Sequence, residues 1–365
     1  MKNQNPLLDG VKVLDLSRLL PGPFCSLYMA QMGAEVIKIE EPNGGDYARA
    51  MSPQMYELAN RGKKSITLDL RKDQDREAFL KLAEKADVVL ESFRPGVMDK
   101  LGCGYETLRA VNPRLIFAAL TGYGHTGPYR NRPGHDMNYR GYAGELDQTA
   151  TAERGPFPGN YQVADIAGGA LTCLVGILGA LFGARASGHG TFVDAAMLDG
   201  TLAMQLVSLA FLRESGHGPL PGQSFLSGTL PNYSVYECAD GKYLALGSLE
   251  PKFFQEVLKR VGREDLLKMP AMGPNSGALR AELEALFKSK TRDAWEAELA
   301  DFDTCASAIL SLQEVLENEQ VKARGIIEQH QGKPAFAFPI PFSHAQTRSG
   351  PAPELGQHNA EILGR

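Results

Sequence analysis

The chain has 365 residues, enough for roughly two domains, and its 43% hydrophobic and 22% charged residues exclude disordered and fibrous classes. Its 38 basic and 43 acidic side chains leave a net charge of −5, which argues against general nucleic-acid affinity but leaves room for a local basic pocket. Cys25, Cys103, Cys173, Cys238 and Cys305 are scattered with no CxxC pair, so neither a disulfide framework nor a metal site is signalled and a cytoplasmic setting is expected. The first ten residues hold no apolar signal core, and the tail Leu363-Gly364-Arg365 is not a peroxisomal address.

In chain order, residues 11–16 predict a strand ending in a turn at Pro21-Gly22-Pro23. A helix at 26–32, stopped by Gly33, and a strand at 35–39 follow. Strands are expected at 65–70, 87–90 and 115–120, with an amphipathic helix at 73–85 carrying Phe79, Leu80 and Ala83 on one face. This alternation predicts a parallel, doubly wound α/β sheet, whose ligands gather at the carboxyl ends of the strands. No G-x-G-x-x-G follows the first strand, and Gly122 to Gly127 opens a proline-marked loop, so nicotinamide chemistry loses its main support.

Residues 124–161 form a long polar segment rich in Gly, Pro, Arg and Asn, and loops of that length are usually functional. Residues 166–184 are uncharged and nearly long enough to span a bilayer, but five glycines and the flanking Asp165 and Arg185 favour a helix buried in a protein core. Within it Gly179 and Gly183 are spaced to admit another backbone. A strand at 191–195 and one long apolar helix at 198–212 come next. A composition shift at 216–228 marks a boundary: residues 1–215 as a large α/β domain, 225–325 as a smaller α+β domain, and 326–365 returning to the first. The second domain reads as a hairpin around Ala239-Asp240-Gly241, then helices at 253–261, 279–289, 294–299 and 312–323, and a proline-rich tail from Lys333 draped over another surface.

Two constellations carry candidate chemistry. His135 stands beside Asp136 in the long loop, with Asn138 and Tyr139 as potential partners; a solvent-facing loop histidine is the plain alternative. Asp165 precedes the apolar helix, where it reads as an N-cap, and the helix dipole there also favours an ionised base or nucleophile. His125, between glycines, reads as turn chemistry; Glu237 reads as a surface glutamate; Lys63 and Lys64 read as a solvated charge run. Arg94 follows a strand end, where a guanidinium could meet a phosphate, with an ordinary surface arginine as the plain alternative.

The segments 8–16, 21–23, 33–40, 60–63, 92–97, 121–124, 194–200 and 355–358 together resemble the class III CoA-transferase (CaiB/BaiF) family over practically the whole chain. Residues 134–139 resemble its α-methylacyl-CoA racemase branch, because transferase members typically carry tyrosine where His135 stands. The resemblance implies an interlocked homodimer acting on an acyl-CoA thioester, with no cofactor beyond the CoA of the substrate, and with neither nucleic acid nor membrane as partner. It implies His135 and Asp165 as catalysts and Glu237, from the other subunit in the family pattern, as the group orienting the histidine. It places CoA contacts at Leu68, Asp69, Leu70 and Arg71, at Ser92, Phe93, Arg94, Pro95 and Gly96, and at Gly134, Asp136, Met137, Asn138 and Tyr139. Lys100 replaces an arginine, and Glu41 stands where racemases often place one. Met29, Met32, Met51, Met55 and Met137 read as core packing or as an adaptable acyl surface.

The implied reaction is racemisation of a 2-methylacyl-CoA by 1,1-proton transfer through an enolate. His135 and Asp165 would flank the enolate plane, and backbone N–H groups at the start of the 165 helix would serve its oxygen. The rival is acyl-CoA:carboxylate CoA transfer with Asp165 as covalent nucleophile.

Overall fold

The computed structural model describes residues 5–151, 154–220, 222–273 and 275–365. Contacts divide the chain into two units. The first comprises Met1–Leu146, Pro158–Leu206 and Gly325–Arg365, and the second Asp147–Phe157 and Val207–Arg324.

The first unit is built on a six-stranded parallel sheet: β1 (Lys12–Asp15), β2 (Glu35–Glu40), β3 (Lys64–Thr67), β4 (Val88–Glu91), β5 (Ile116–Thr121) and β6 (Phe192–Ala196), in the order β3-β2-β1-β4-β5-β6. The strands are short and mostly buried because helices cover both faces, and the polar Lys38 and Ser65 are buried with them. One core cluster gathers Val13, Met29, Val36, Leu90, Ala118 and Ile177, and the other gathers Leu14, Ile37, Ile66, Phe79, Val89 and Phe117. Strand order reverses between β1 and β4, so the crevice at their carboxyl ends is where such a sheet binds its ligand.

Helix α1 (Pro21–Gln31) begins at the prolines read as a turn. Proline fits the first helical turn, whose N–H groups need no intrahelical acceptor. Gly22 is required there, since a Cβ would lie 2.1 Å from that of Ser17. Helix α2 (Asp73–Ala83) buries Phe79 and Ala83. The segment expected to be all loop contains α3 (Asp136–Ala143), closed by Gly144 at φ +78°. The apolar stretch becomes a π-helical segment, Val163–Leu171, running into α4 (Thr172–Ser187). It is long and apolar enough to cross a membrane. It is buried on one face only: Cys173, Leu174, Ile177 and Leu181 point inward, whereas Val175 and Phe182 are 70% and 80% exposed.

Among the described residues nothing lies within 4 Å of a Cβ placed on Gly179 or Gly183; the close backbone crossing lies earlier. A Cβ on Gly200, in α5 (Met197–Ala203), would sit 1.8 Å from the Gly168 carbonyl oxygen. The expected single helix at 198–212 is therefore two, α5 and Leu206–Ser215, parted where Gln205 Nε2 donates to the Ala143 carbonyl at 2.6 Å.

The second unit has a three-stranded antiparallel sheet, β7 (Tyr233–Glu237), β8 (Tyr243–Gly247) and β9 (Ala306–Ala308), packed on the helices Pro251–Arg260, Ser276–Phe287 and Arg292–Leu299 around Trp295, Phe287 and Tyr236. The helix expected at 312–323 breaks at Asn318, whose Oδ1 caps the second piece by accepting Val321 N–H at 3.2 Å. Back in the first unit, the tail starts as a hairpin of β10 (Ile327–His330) and β11 (Lys333–Phe336). It then straps along the sheet edge: Ser65 N–H donates to His358 Nδ1 at 3.1 Å, and Asn359 brackets Thr67.

Candidate active site

A cavity of about 760 Å³ opens at the β1/β4 crevice. Its wall combines the loop after β1 (Arg18, Leu19, Leu20, Pro21), the loop after β4 (Ser92, Phe93, Arg94, Pro95), the end of β5, the start of α3 and Met197. His135 and Asp165 both lie on this wall, with Gly134, Asn138 and Tyr139.

His135 precedes α3. Its N–H donates to Asn138 Oδ1 at 3.0 Å, while its carbonyl accepts Asn138 N–H at 2.8 Å, the reciprocal pattern of a capped helix start. The cap leaves the imidazole exposed to the cavity. Asp165 sits in the first turn of the π-helical segment, with Gln162 and not Asp165 at the cap position. Asp136 ties the two together. Its Oδ1 accepts the N–H groups of Ala164 at 2.7 Å and Asp165 at 3.1 Å, and its Oδ2 lies 3.4 Å from Arg140. Burial, then the negative charge of Asp136, push the Asp165 carboxyl up, with His135 opposing, to about 6.

That arrangement overturns one expectation. The N–H groups of Ala164 and Asp165 are taken by Asp136, that of Ile166 by the Gln162 carbonyl and that of Val163 by the Tyr161 carbonyl. The start of the 165 helix therefore offers no free donor at residues 163–166.

The wall also carries four arginines among neutral residues. Arg18, Arg94, Arg130 and Arg132 line it, and among the described residues none of them has a carboxylate partner. Arg18 is held between the Tyr47 and Phe93 rings, 5.1 and 5.0 Å from their centroids. Arg132 lies 3.7 Å over Tyr129 and donates to Tyr142 Oη at 2.9 Å. Tyr139 Oη donates to the Gly134 carbonyl, and a Cβ on Gly134 would strike the Tyr139 ring at 2.7 Å.

A family model, CoA-transferase family III, matches residues 8–359. The chain belongs to that family. As a family III member it is 32% identical over 363 residues to the alpha-methylacyl-CoA racemase of Homo sapiens, covering 98% of this chain and 92% of that protein. It is also 33% identical over 393 residues to the succinate–glutarate CoA-transferase of Agrobacterium fabrum, covering 100% and 96%. Among solved structures, a CAIB/BAIF family protein from Brucella suis superposes with a TM-score of 0.88 at 34% identity, covering 99% of each chain.

In this family III chain several sequence candidates lie off the cavity wall. Asp69 pairs with Arg71 at 2.6 Å, and Arg71 reaches Glu41 at 3.4 Å. Leu68, Leu70, Gly96, Lys100, Asp136 and Met137 are also outside the lining. Glu237 belongs to the second unit, where it pairs with Lys288 at 2.7 Å. His125 is more than a turn residue: its Nε2 lies 3.7 Å from Glu91 Oε1, and Glu91 Oε2 accepts the Phe93 N–H at 2.6 Å. Lys63 is no solvated charge. It is fully buried, 3.2 Å from Asp15, and donates to the Pro23 carbonyl and Asn60 Oδ1.

The sequence reading also missed a support under the β1 loop. Buried Lys38 pairs with Asp46 at 2.9 Å, and Asp46 Oδ1 accepts the Leu19 N–H at 2.9 Å. Leu19 adopts φ +64°, a strained backbone for a leucine, at the edge of the cavity. No local signal in the sequence announces it.

Proposed function

We propose that this protein is a 2-methylacyl-CoA racemase, interconverting (R)- and (S)-thioesters by 1,1-proton transfer through an enolate. The observation that carries the reading is that an imidazole and a carboxyl line one cavity at the β1/β4 crevice, with Asp165 lifted to about 6. A carboxyl in that range both takes and gives a proton near neutrality, which a two-base exchange needs.

In one direction neutral His135 removes the α-proton, and the C–H electron pair moves into the enolate as the thioester oxygen takes negative charge. Protonated Asp165 then delivers a proton to the opposite face. In the other direction carboxylate and imidazolium exchange roles. Each turnover leaves one proton on the pair, so no outside acid or base is consumed. The unpaired arginines of the wall suit the phosphates of CoA, whose remote binding holds the reacting carbon in place.

The reading includes a homodimer in which Glu237 of a second copy orients His135. Its support is the resemblance, together with exposed apolar side chains in each unit: Val175, Phe182, Leu202 and Leu206 in the first, Leu209 and Phe225 in the second.

The test is exchange of the α-proton with solvent deuterium. His135→Ala and Asp165→Ala each abolish exchange for at least one enantiomer while the protein stays folded; unchanged exchange in either removes that residue from the mechanism. CoA transfer is the second reading, favoured by the similarity to the Agrobacterium fabrum transferase. It would have Asp165 attack the thioester carbonyl and expel CoA thiolate, and hydroxylamine trapping would then mark Asp165.

A further inference from the structure

An enolate formed between His135 and Asp165 needs a hydrogen-bond donor at its oxygen. The backbone amides nearest Asp165 do not supply one, because Asp136 and two carbonyls occupy them. Among the wall's hydroxyls, Tyr139 Oη already donates to Gly134, while Ser92 Oγ and Thr121 Oγ1 accept the Arg18 and Gly124 N–H groups, bonds that position those oxygens without using their protons. Arg18 and Arg132 are held by aromatic rings and by hydrogen bonds to Tyr47 and Tyr142.

Asn138 differs. Its Oδ1 accepts the His135 N–H at 3.0 Å, which fixes which end of the amide is oxygen. The Nδ2 end, with two N–H donors, then has no protein acceptor among the described residues, and Asn138 lines the cavity. One hydrogen bond ties this amide to the backbone of His135, and Asp136, the next residue, holds the backbone of Asp165. Donor, imidazole and carboxyl thus share one short rigid connection.

We infer that the Asn138 Nδ2–H donates to the thioester oxygen and, more strongly, to the enolate oxygen. Resting on the racemase reading, this makes Asn138 a catalytic residue in addition to the cap of α3. As the base takes the α-proton, the carbonyl π pair moves onto oxygen, and the carboxamide stabilises it without itself losing a proton. When the opposite face is protonated the pair returns and the hydrogen bond weakens to its starting strength.

Cap and donor are separable. Asn138→Asp keeps an oxygen to accept the His135 N–H but removes the NH2; Asn138→Ala removes both. Wild-type protein and both variants are compared for thermal midpoint, for binding of a 2-methylacyl-CoA and for α-deuterium exchange. Asn138→Asp is expected to keep its midpoint and bind the thioester within a few-fold, yet exchange about 10²- to 10³-fold more slowly, the usual cost of losing one such donor. Asn138→Ala should lose a similar factor in exchange and, in addition, melt earlier. Wild-type exchange rates in Asn138→Asp overturn the inference and pass the role to another donor of the wall, the Ser92 or Thr121 hydroxyl or the Arg94 or Arg130 guanidinium. A loss confined to binding overturns it too, since the amide would then hold the ground state only. A wild-type protein that binds the thioester but exchanges nothing fails the racemase reading itself, a result distinct from either.

Discussion

Lys63→Met is the most informative perturbation of the scaffold. The Lys63 ammonium is fully buried and makes three contacts: Asp15 Oδ2 at 3.2 Å, the Pro23 carbonyl at 2.9 Å and Asn60 Oδ1 at 2.9 Å. Methionine fills most of the volume but leaves Asn60 Oδ1 without this donor and Asp15 without its nearest counter-charge, while the Pro23 carbonyl keeps Ser26 Oγ at 3.3 Å. The orphaned neutral acceptor costs about 1–3 kcal/mol, and breaking a buried pair from one side costs about 3–5 kcal/mol when nothing else serves the remaining charge. The Ser17 and Ser26 hydroxyls and Lys38 still serve Asp15, so about 4 kcal/mol is expected, a large fraction of the 5–15 kcal/mol typical of a folded domain. Urea unfolding of both proteins at pH 7 measures it. Adding Asp15→Asn to Lys63→Met should restore part of the loss, because no buried charge is then left uncompensated.

The pH dependence checks the sign. In the wild type burial raises the Asp15 carboxyl, but Lys63, Lys38 and the two serines outweigh it and bring it down to about 2. Its contribution is therefore present above the ordinary carboxylate range and is lost as pH falls from about 4 toward 2. Without Lys63, burial dominates and the carboxyl moves up. The variant then regains stability as pH falls through that higher value, so the gap between the proteins narrows in acid. A loss below about 1 kcal/mol at pH 7, or a gap that widens toward pH 4, refutes the assignment of a paired buried charge.

Two further tests address the site. Asp136→Asn keeps an acceptor for the Ala164 and Asp165 N–H groups but removes a negative charge, so Asp165 should move from about 6 toward the ordinary aspartate range. The pH–exchange profile reads this as an ionisation displaced to lower pH; no displacement means that burial alone holds Asp165 up. Phe182→Glu puts a charge on a side chain 80% exposed in the chain, and the homodimer reading predicts a smaller sedimentation coefficient with loss of exchange, whereas an unchanged coefficient removes that face from the interface.

The parallel sheet was legible because short β-branched and apolar stretches alternate with helical segments between turn residues, even though Lys38 and Ser65 interrupt them. His135 and Asp165 were legible as chemistry-bearing types in sequence, though only the resemblance raised them above a loop filler and a helix cap. What stayed hidden depends on partners far along the chain. Lys63 looks solvated next to Lys64 until Asp15, 48 residues earlier, is folded beneath it. Asp136 looks like a companion to His135 until it meets amides 28 and 29 residues later. Pro21-Gly22-Pro23 satisfies turn and helix-start rules equally, and only the contact of Gly22 with Ser17 decides between them. The break after α5 has no Gly or Pro to announce it, because it is made by the Gln205 side chain reaching Ala143.

The two proposed readings ask incompatible services of Asp165. A nucleophile that attacks a thioester must be ionised and exposed to the carbonyl carbon, so surroundings that favour its proton work against it. An acid/base partner must be protonated in one half of the exchange and free in the other, which a carboxyl at its ordinary pKa does poorly at neutral pH. Here Asp165 is flanked by the Asp136 carboxylate, and no arginine of the wall pairs with it. Burial first, and that placement after it, raise its proton affinity at the expense of anionic reactivity. The cations of the wall remain available for phosphate. The separation of charges, negative beside Asp165 and positive elsewhere on the wall, is the physical reason to read proton exchange before acyl transfer.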